Sequence, residues 1–293
     1  MSGVIQAPAR KSPEEKSAVS PMLLRLARER ATGALIRDQG TLYLADGRIV
    51  HAESPAAPGL DILLTRGGTL PPEGWWDAVA EAGARNAVGR HLVDSGRLAE
   101  GALQMCHLGA LFDAAYFVLG PTSGPTRFRY GVAHWLGRVQ QVDAGAVDRE
   151  SRRRRALLDG VWPGGTGLDT APVVPRTPAP EQPVGERLRA VLRLADGVRT
   201  PSAIAWELGR PAFHTLIEVR RLAAAGLVES APEAGAGTEA SAGVGTASGV
   251  PPAVPPWITD AFPTPITTPI TDPTADPDVA LLRRLRDALE ATL

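Results

Sequence analysis

The side chains of this 293-residue chain best suited to chemistry are a histidine on a hairpin, a cysteine inside a long helix, a tryptophan pair and two arginine-bearing helices. His51 could carry a proton or hold a metal ion. The sequence sets no second histidine, cysteine or paired carboxylate at metal-ligand spacing around it, and a lone imidazole lacks the orienting partner that either task needs. His51 is therefore expected to be a satisfied structural histidine. Cys106 sits on a helix between Met105 and His107, where neighbours point to different faces, and is expected to be a buried, inert thiol. A single cysteine excludes an internal disulfide framework and a cysteine-cluster zinc site, and fits a reducing compartment. Trp75 and Trp76 lie about 100° apart on a helix, so they pack in a core or an interface and cannot stack on one ligand. The run Arg152 to Arg155 could hold phosphates. Flanked by Asp148, Glu150 and Asp159, it is expected to be a solvated helix with i to i+4 ion pairs.

These residues have to be positioned by short elements. Ser20 and Pro21 open a helix through Met22, Leu23, Leu26 and Ala27. GTLYLA and RIVHAES are joined by Asp46 and Gly47, a pair that supplies the positive φ angles of a tight hairpin turn. A two-residue loop sets Ala45 opposite Arg48, Leu44 opposite Ile49, Tyr43 opposite Val50 and Leu42 opposite His51. The preceding GALIRD adds a third strand. Helical periodicity follows at Leu60 to Thr65, Pro72 to Ala82, Ala87 to Ser95 and Ala99 to Leu119. TRFRYG is a further strand, and AVDRESRRRRALLDGVW a polar helix closing this part near Trp162. The fold class expected is α+β, a small antiparallel sheet packed with helices.

Residues 163–184 hold six prolines and three glycines and read as an extended linker. Beyond it, Leu188, Val191, Leu192 and Ala195 recur at helical spacing, Thr200 and Pro201 start a second helix ended by Gly209, and a third runs from Pro211 to Ala225. Gly226 then turns the chain into a strand at Leu227 and Val228. Residues 231–276 are rich in Ala, Gly, Thr and Pro and are expected to be disordered, like residues 1–19. Residues 277–293 read as an amphipathic docking helix, with Leu282, Leu285 and Leu289 as its partner-binding face.

The segments ATGALIRDQGTLYLADGRIVHAESPAAPGLDILLTRGG and VGRHLVDSGRLAEGALQMCHLGALFDAAYFVL, with TRFRYG, resemble the PATAN-type domain of unknown function over about residues 21–160. The resemblance implies an α+β module of bacterial signalling and gene-regulatory proteins, and it carries over no catalytic residues. Residues 185–229 are similar to winged-helix transcription-regulator domains. They depart from that pattern after LVE, where SAPEAGAGTEASAG leaves out the second wing strand and its basic tip.

The formal net charge of -1 excludes a generic polyanion binder, so any nucleic-acid surface is local. No Gly-rich phosphate loop, metal cluster or nucleophile elbow is present, which points away from an enzyme and from a cofactor. No apolar run reaches the ~18 residues of a membrane span and no secretory segment is visible, so the cytoplasm is expected. The expected function is a bacterial transcriptional regulator that contacts double-stranded DNA through the third helix, with Arg220 and Arg221 on phosphates and Arg210 and His214 near base edges. One copy reads half of a symmetric site, so this reading expects a homodimer. The alternative is a signalling adaptor whose winged helix and C-terminal helix bind a protein partner instead of DNA.

Overall fold

Asp46 and Gly47 take positive φ angles of 53° and 79°, the conformation a two-residue hairpin demands. They join β2 (Gly40–Ala45) to β3 (Arg48–Glu53) in a computed structural model that describes residues 21–121, 124–176 and 184–231. β1 (Gly33–Arg37) pairs with β2 on one side and with β4 (Arg127–Tyr130) on the other, giving an antiparallel sheet of order β3-β2-β1-β4. The register starts as the turn dictates, with Ala45 opposite Arg48 and Leu44 opposite Ile49. It then shifts by one residue, so Tyr43 faces His51 and Leu42 faces Ala52, in place of the expected pairs with Val50 and His51. An extra residue on β3 makes this β-bulge and re-aims the side chains beyond it. Ala52 takes the core position beside Leu42, and His51 moves to the face shared with Tyr43 and Glu53.

The long α5 (Glu100–Val118) crosses the sheet, and its Leu108, Leu111, Phe112 and Ala115 bury Leu35, Leu42, Leu44 and Ile49. α1 (Pro21–Arg28) closes the same core with Leu23 and Leu26. A second core lies under α2 (Leu60–Arg66), α3 (Pro72–Ala82) and α4 (Val88–Asp94), built on Leu64, Trp75, Val79, Val88 and Leu92 with Leu103 of α5. α6 (Ala144–Val161) begins at Asp143, whose carboxylate accepts from Ala146 N–H at 3.0 Å.

Residues 163–176 are more ordered than their prolines suggest. The described part of the expected linker 163–184, residues 163–176 and 184, contains α7 (Thr166–Thr170) and β5 (Val173–Pro175). Leu168 and Val173 join a third core with Val191, Ile204, Val219 and Leu222, and this burial holds the segment in place. The helices are α8 (Glu186–Leu194), α9 (Pro201–Leu208) and α10 (Ala212–Ala224), and β6 (Val228–Ser230) follows. Thr200 caps α9 by accepting from Ala203 N–H at 3.2 Å, Gly209 ends it at φ 61°, and Gly226 at φ 71° releases the chain into β6. β6 pairs antiparallel with β5, Val173 opposite Ser230 and Pro175 opposite Val228. The strand that pairs with β6 thus comes from ahead of the helices.

The three-helix module is packed onto the sheet domain. Phe213 and Leu216 of α10 bury against Leu158 of α6, with Tyr116 and Phe117 of α5 alongside. Arg66 of α2 pairs with Glu207 of α9 at 3.1 Å. The chain is α+β, as its sequence indicates. Among the described residues no helix is long and apolar enough to cross a membrane. The readings for residues 1–19 and 232–276, and for the helix with Leu282, Leu285 and Leu289, lie outside the described residues.

Candidate functional site

The bulge on β3, one turn of α5 and the loop after β4 bring three imidazoles together. His51 stacks on His134 with ring centroids 3.9 Å apart, and the His107 ring lies 5.4 Å from that of His51. His51 and His134 are 5% exposed and His107 is 0% exposed. His51 Nδ1 and His107 Nε2 share a hydrogen bond of 3.3 Å. Leu136 N–H donates to His134 Nδ1 at 3.2 Å, which places the ring proton of His134 on Nε2, and that N–H donates to Glu53 Oε1 at 2.8 Å. Tyr43 O–H donates to the other oxygen of Glu53 at 3.0 Å. His51 Nε2 stands 4.0 Å from Glu53 Oε1, beyond hydrogen-bond reach.

Burial sets the charge states here. It holds His51 well below the usual histidine range, with His134 and His107 adding to the effect. It lowers His107 to about 4, reinforced by His134 and opposed by the Val50 carbonyl. Burial pushes the Glu53 carboxyl upward, yet neighbouring His134 and the hydrogen bonds from His134 and Tyr43 outweigh it, so Glu53 ends below its ordinary value. Burial thus favours the neutral form of His51 and His107 beside the Glu53 carboxylate, and the cluster is a donor set that suits a metal ion or a hydrogen-bonding ligand.

The expectation of a lone His51 is corrected by this geometry. Its partners His107 and His134 come from elements far apart in the chain, and only Glu53, two positions along the same strand face, was visible near it. The cluster opens into a cavity of about 430 Å³, walled also by Trp75, Trp135 and Trp206. Trp75 and Trp135 meet edge to face at 5.8 Å. Trp76, one residue on from Trp75, is 44% exposed, so the two indoles do diverge. Trp206 belongs to α9, which makes the cavity a junction between the sheet domain and the three-helix module.

The residues expected to touch DNA are placed unequally. Arg220 is 2% exposed: its Nε donates to Asp169 at 2.8 Å and its Nη1 to the Trp162 carbonyl at 3.1 Å. Its expected phosphate contact is therefore corrected to an internal ion pair. Arg210 is half-buried beside Glu218, whose carboxyl is pushed up by burial and drawn back chiefly by Arg210. His214 and Arg221 are exposed. The start of α10 is occupied: buried Asp113 of α5 accepts from Ala212 N–H at 2.6 Å and Phe213 N–H at 2.8 Å.

Within Arg152 to Arg155, Arg152 pairs with Asp148, and Arg153 and Arg154 bond Glu150 at 2.7 and 2.9 Å, the intrahelical pairs expected. Arg154 and Arg155 also turn inward. Arg154 lies 4.6 Å from the Phe213 ring centre, and Arg155 donates to the Tyr116 carbonyl at 3.0 Å. Cys106 is partly exposed, and burial pushes its thiol up, towards the unreactive protonated form. No protein-family model, no curated protein and no solved structure matches the chain.

Proposed function

We propose that the chain is a non-enzymatic bacterial regulatory protein acting in the cytoplasm, in which an effector taken into the junction cavity changes how α8 to α10 sit on the sheet domain. The output goes to a protein partner, in the manner of a signalling adaptor. The observation that carries this reading is the shared cavity wall: His51, Glu53, His134, Trp75 and Trp135 come from the sheet domain and Trp206 from α9. A ligand touching both sides favours one arrangement of the two over another, which is the physical requirement for coupling. A protein output is supported by the start of α10 lying against Asp113 of α5 and by Arg220 being engaged with Asp169, which takes one basic side chain away from phosphate contact.

Exposed His214 and Arg221 support a second reading, in which a homodimer contacts DNA. One experiment separates the two: fluorescence anisotropy of full-length protein with random genomic DNA fragments over a salt series, beside Arg221→Ala. The adaptor reading expects no salt-sensitive binding. Binding that weakens with salt and falls in Arg221→Ala overturns it in favour of DNA, because counterion release reports phosphate contacts. The effector is sought by thermal shift against a small-molecule collection. A true effector stabilises the wild type and loses that effect in both Trp206→Ala and Glu53→Gln.

A further inference from the structure

We propose that His51, Glu53 and His134 form a three-ligand site for a divalent first-row transition metal, its remaining coordination position open to the junction cavity. Ligand atoms of all three residues lie within 4.8 Å of one another. Glu53 Oε1 is 2.8 Å from His134 Nε2 and 4.0 Å from His51 Nε2. An ion with bonds of about 2.0–2.2 Å to nitrogen and oxygen sets tetrahedral ligands roughly 3.4 Å apart. The two distances bracket that value for the Glu53 oxygen, while His51 and His134, stacked with centroids 3.9 Å apart, have to turn until both Nε2 lone pairs converge on the ion. Two imidazoles and one carboxylate, with a position left over, form the ligand set of an open metal centre, and they select zinc, iron, cobalt or nickel over the all-oxygen ions calcium and magnesium.

The surrounding hydrogen bonds support the assignment. When His51 coordinates through Nε2, its Nδ1–H donates to His107 Nε2, the 3.3 Å contact already present. A second hydrogen bond of this kind is the usual means of fixing a ligating histidine. Tyr43 holds the far oxygen of Glu53 and aims the near one at the imidazoles. Without an ion, His51 Nε2 faces a carboxylate oxygen at 4.0 Å with no hydrogen bond between them. The Glu53 side chain is 46% exposed, which gives an ion a way in from solvent.

His134 makes the site responsive. Its Nε2 proton must move to Nδ1 when Nε2 takes the metal, and Nδ1 can then no longer accept from Leu136 N–H. The His134–Gly137 turn, closed by Gly137 N–H on the His134 carbonyl at 3.1 Å, has to yield, and it carries the Trp135 and Leu136 of the cavity wall. This consequence rests on the cavity being the receiving site, whereas metal binding stands or falls by itself.

The test is titration of metal-free full-length protein with Co²⁺, followed by d–d absorption. One equivalent with visible bands, displaced by Zn²⁺ and unaffected by millimolar Mg²⁺, is expected. His51→Gln, His134→Gln and Glu53→Gln lose the bands, while Cys106→Ser and His214→Gln keep them. His107→Leu removes only a positioning bond and weakens Co²⁺ about 10- to 100-fold, with altered bands. Glu53→Gln, on the most exposed of the three ligands, remains informative if a histidine variant fails to fold. No bands in folded wild type, or bands unchanged in folded Glu53→Gln, overturn the site. Hydrogen exchange in the same samples separates the two proposals. Faster exchange at Leu136 and altered exchange in α9 on metal binding support both, and bands with unaltered α9 leave the metal site standing and sink its regulatory role.

Discussion

The carboxylate of Asp113, in the middle of α5, accepts the main-chain N–H of Phe213 at 2.8 Å, joining residues 100 positions apart. Asp113 thereby does for α10 what an N-cap residue does from within the same chain segment, and the positive end of the helix favours its charge. Burial pushes this carboxyl up, and the amides of Phe213 and Ala212 with Arg154 draw it back. Asp113→Ala leaves two buried N–H groups without their acceptor and takes from Arg154 one of the two carboxylates it meets, Glu150 remaining. It is expected to cost about 3 kcal/mol, the range for breaking a buried charged contact. Urea unfolding of the purified variant measures this, and a loss below the scatter of surface substitutions shows that the module is not held through Asp113.

Arg220 and Arg221 are adjacent and should behave in opposite ways. Arg220→Ala strips Asp169 of its partner inside the protein and is expected to lower stability by about 3 kcal/mol, whereas Arg221→Ala stays within about 0.5 kcal/mol of wild type. Thermal unfolding of the two variants decides it. Equal, small effects would place the Arg220 guanidinium in solvent, contrary to its 2% exposure.

Stability should depend on pH through the buried imidazoles. His107 falls to about 4 in the folded chain from 6.5 when unfolded, and His51 shifts the same way. Between those values the unfolded chain binds more protons, so folding is stabilised as pH rises through the window and loses that stability as pH falls from about 6.5 toward 4. For His107 alone the difference amounts to about 3 kcal/mol. Denaturation midpoints taken from pH 4 to 7.5 should rise and then level off, and His107→Leu should flatten the slope. A wild-type profile that falls across this window contradicts the burial of neutral His51 and His107.

The hairpin turn tolerates no side chain at Gly47. Its φ is 79°, and an added Cβ would lie 2.5 Å from the Ala27 carbonyl oxygen. Gly47→Ala should destabilise by about 2 kcal/mol through backbone strain alone, and more from the contact. Circular-dichroism melting of this variant beside Gly68→Ala, where the added Cβ meets nothing within 4 Å, separates strain from contact.

Local signals marked most of the secondary structure: the Asp46–Gly47 turn, the Thr200–Pro201 helix start and the Gly209 stop each act within a few residues. The β3 bulge escaped notice because nothing in RIVHAES marks where a residue will be left unpaired; it is decided by which of Val50, His51 and Ala52 best fits against α5. The histidine cluster escaped for a related reason. His107 and His134 meet His51 only once α5 is laid across the sheet, and no spacing rule links positions 51, 107 and 134. Arg220 was misplaced because its partner Asp169 lay in a stretch whose prolines suggested a linker.

The pairing of β5 with β6 also decides where this protein can be cut. Val173 and Ser230 lie side by side, so the chain enters and leaves the three-helix module at one edge, and the helices hang between as a loop closed at its base. A fragment starting at residue 185 discards half of that base, with Leu168 and Val173 of the third core and the Asp169 that balances Arg220. A stable excised module must begin ahead of Thr166. The shared edge also means that tension applied between residues 172 and 231 unzips the ribbon one pair at a time before it loads any helix.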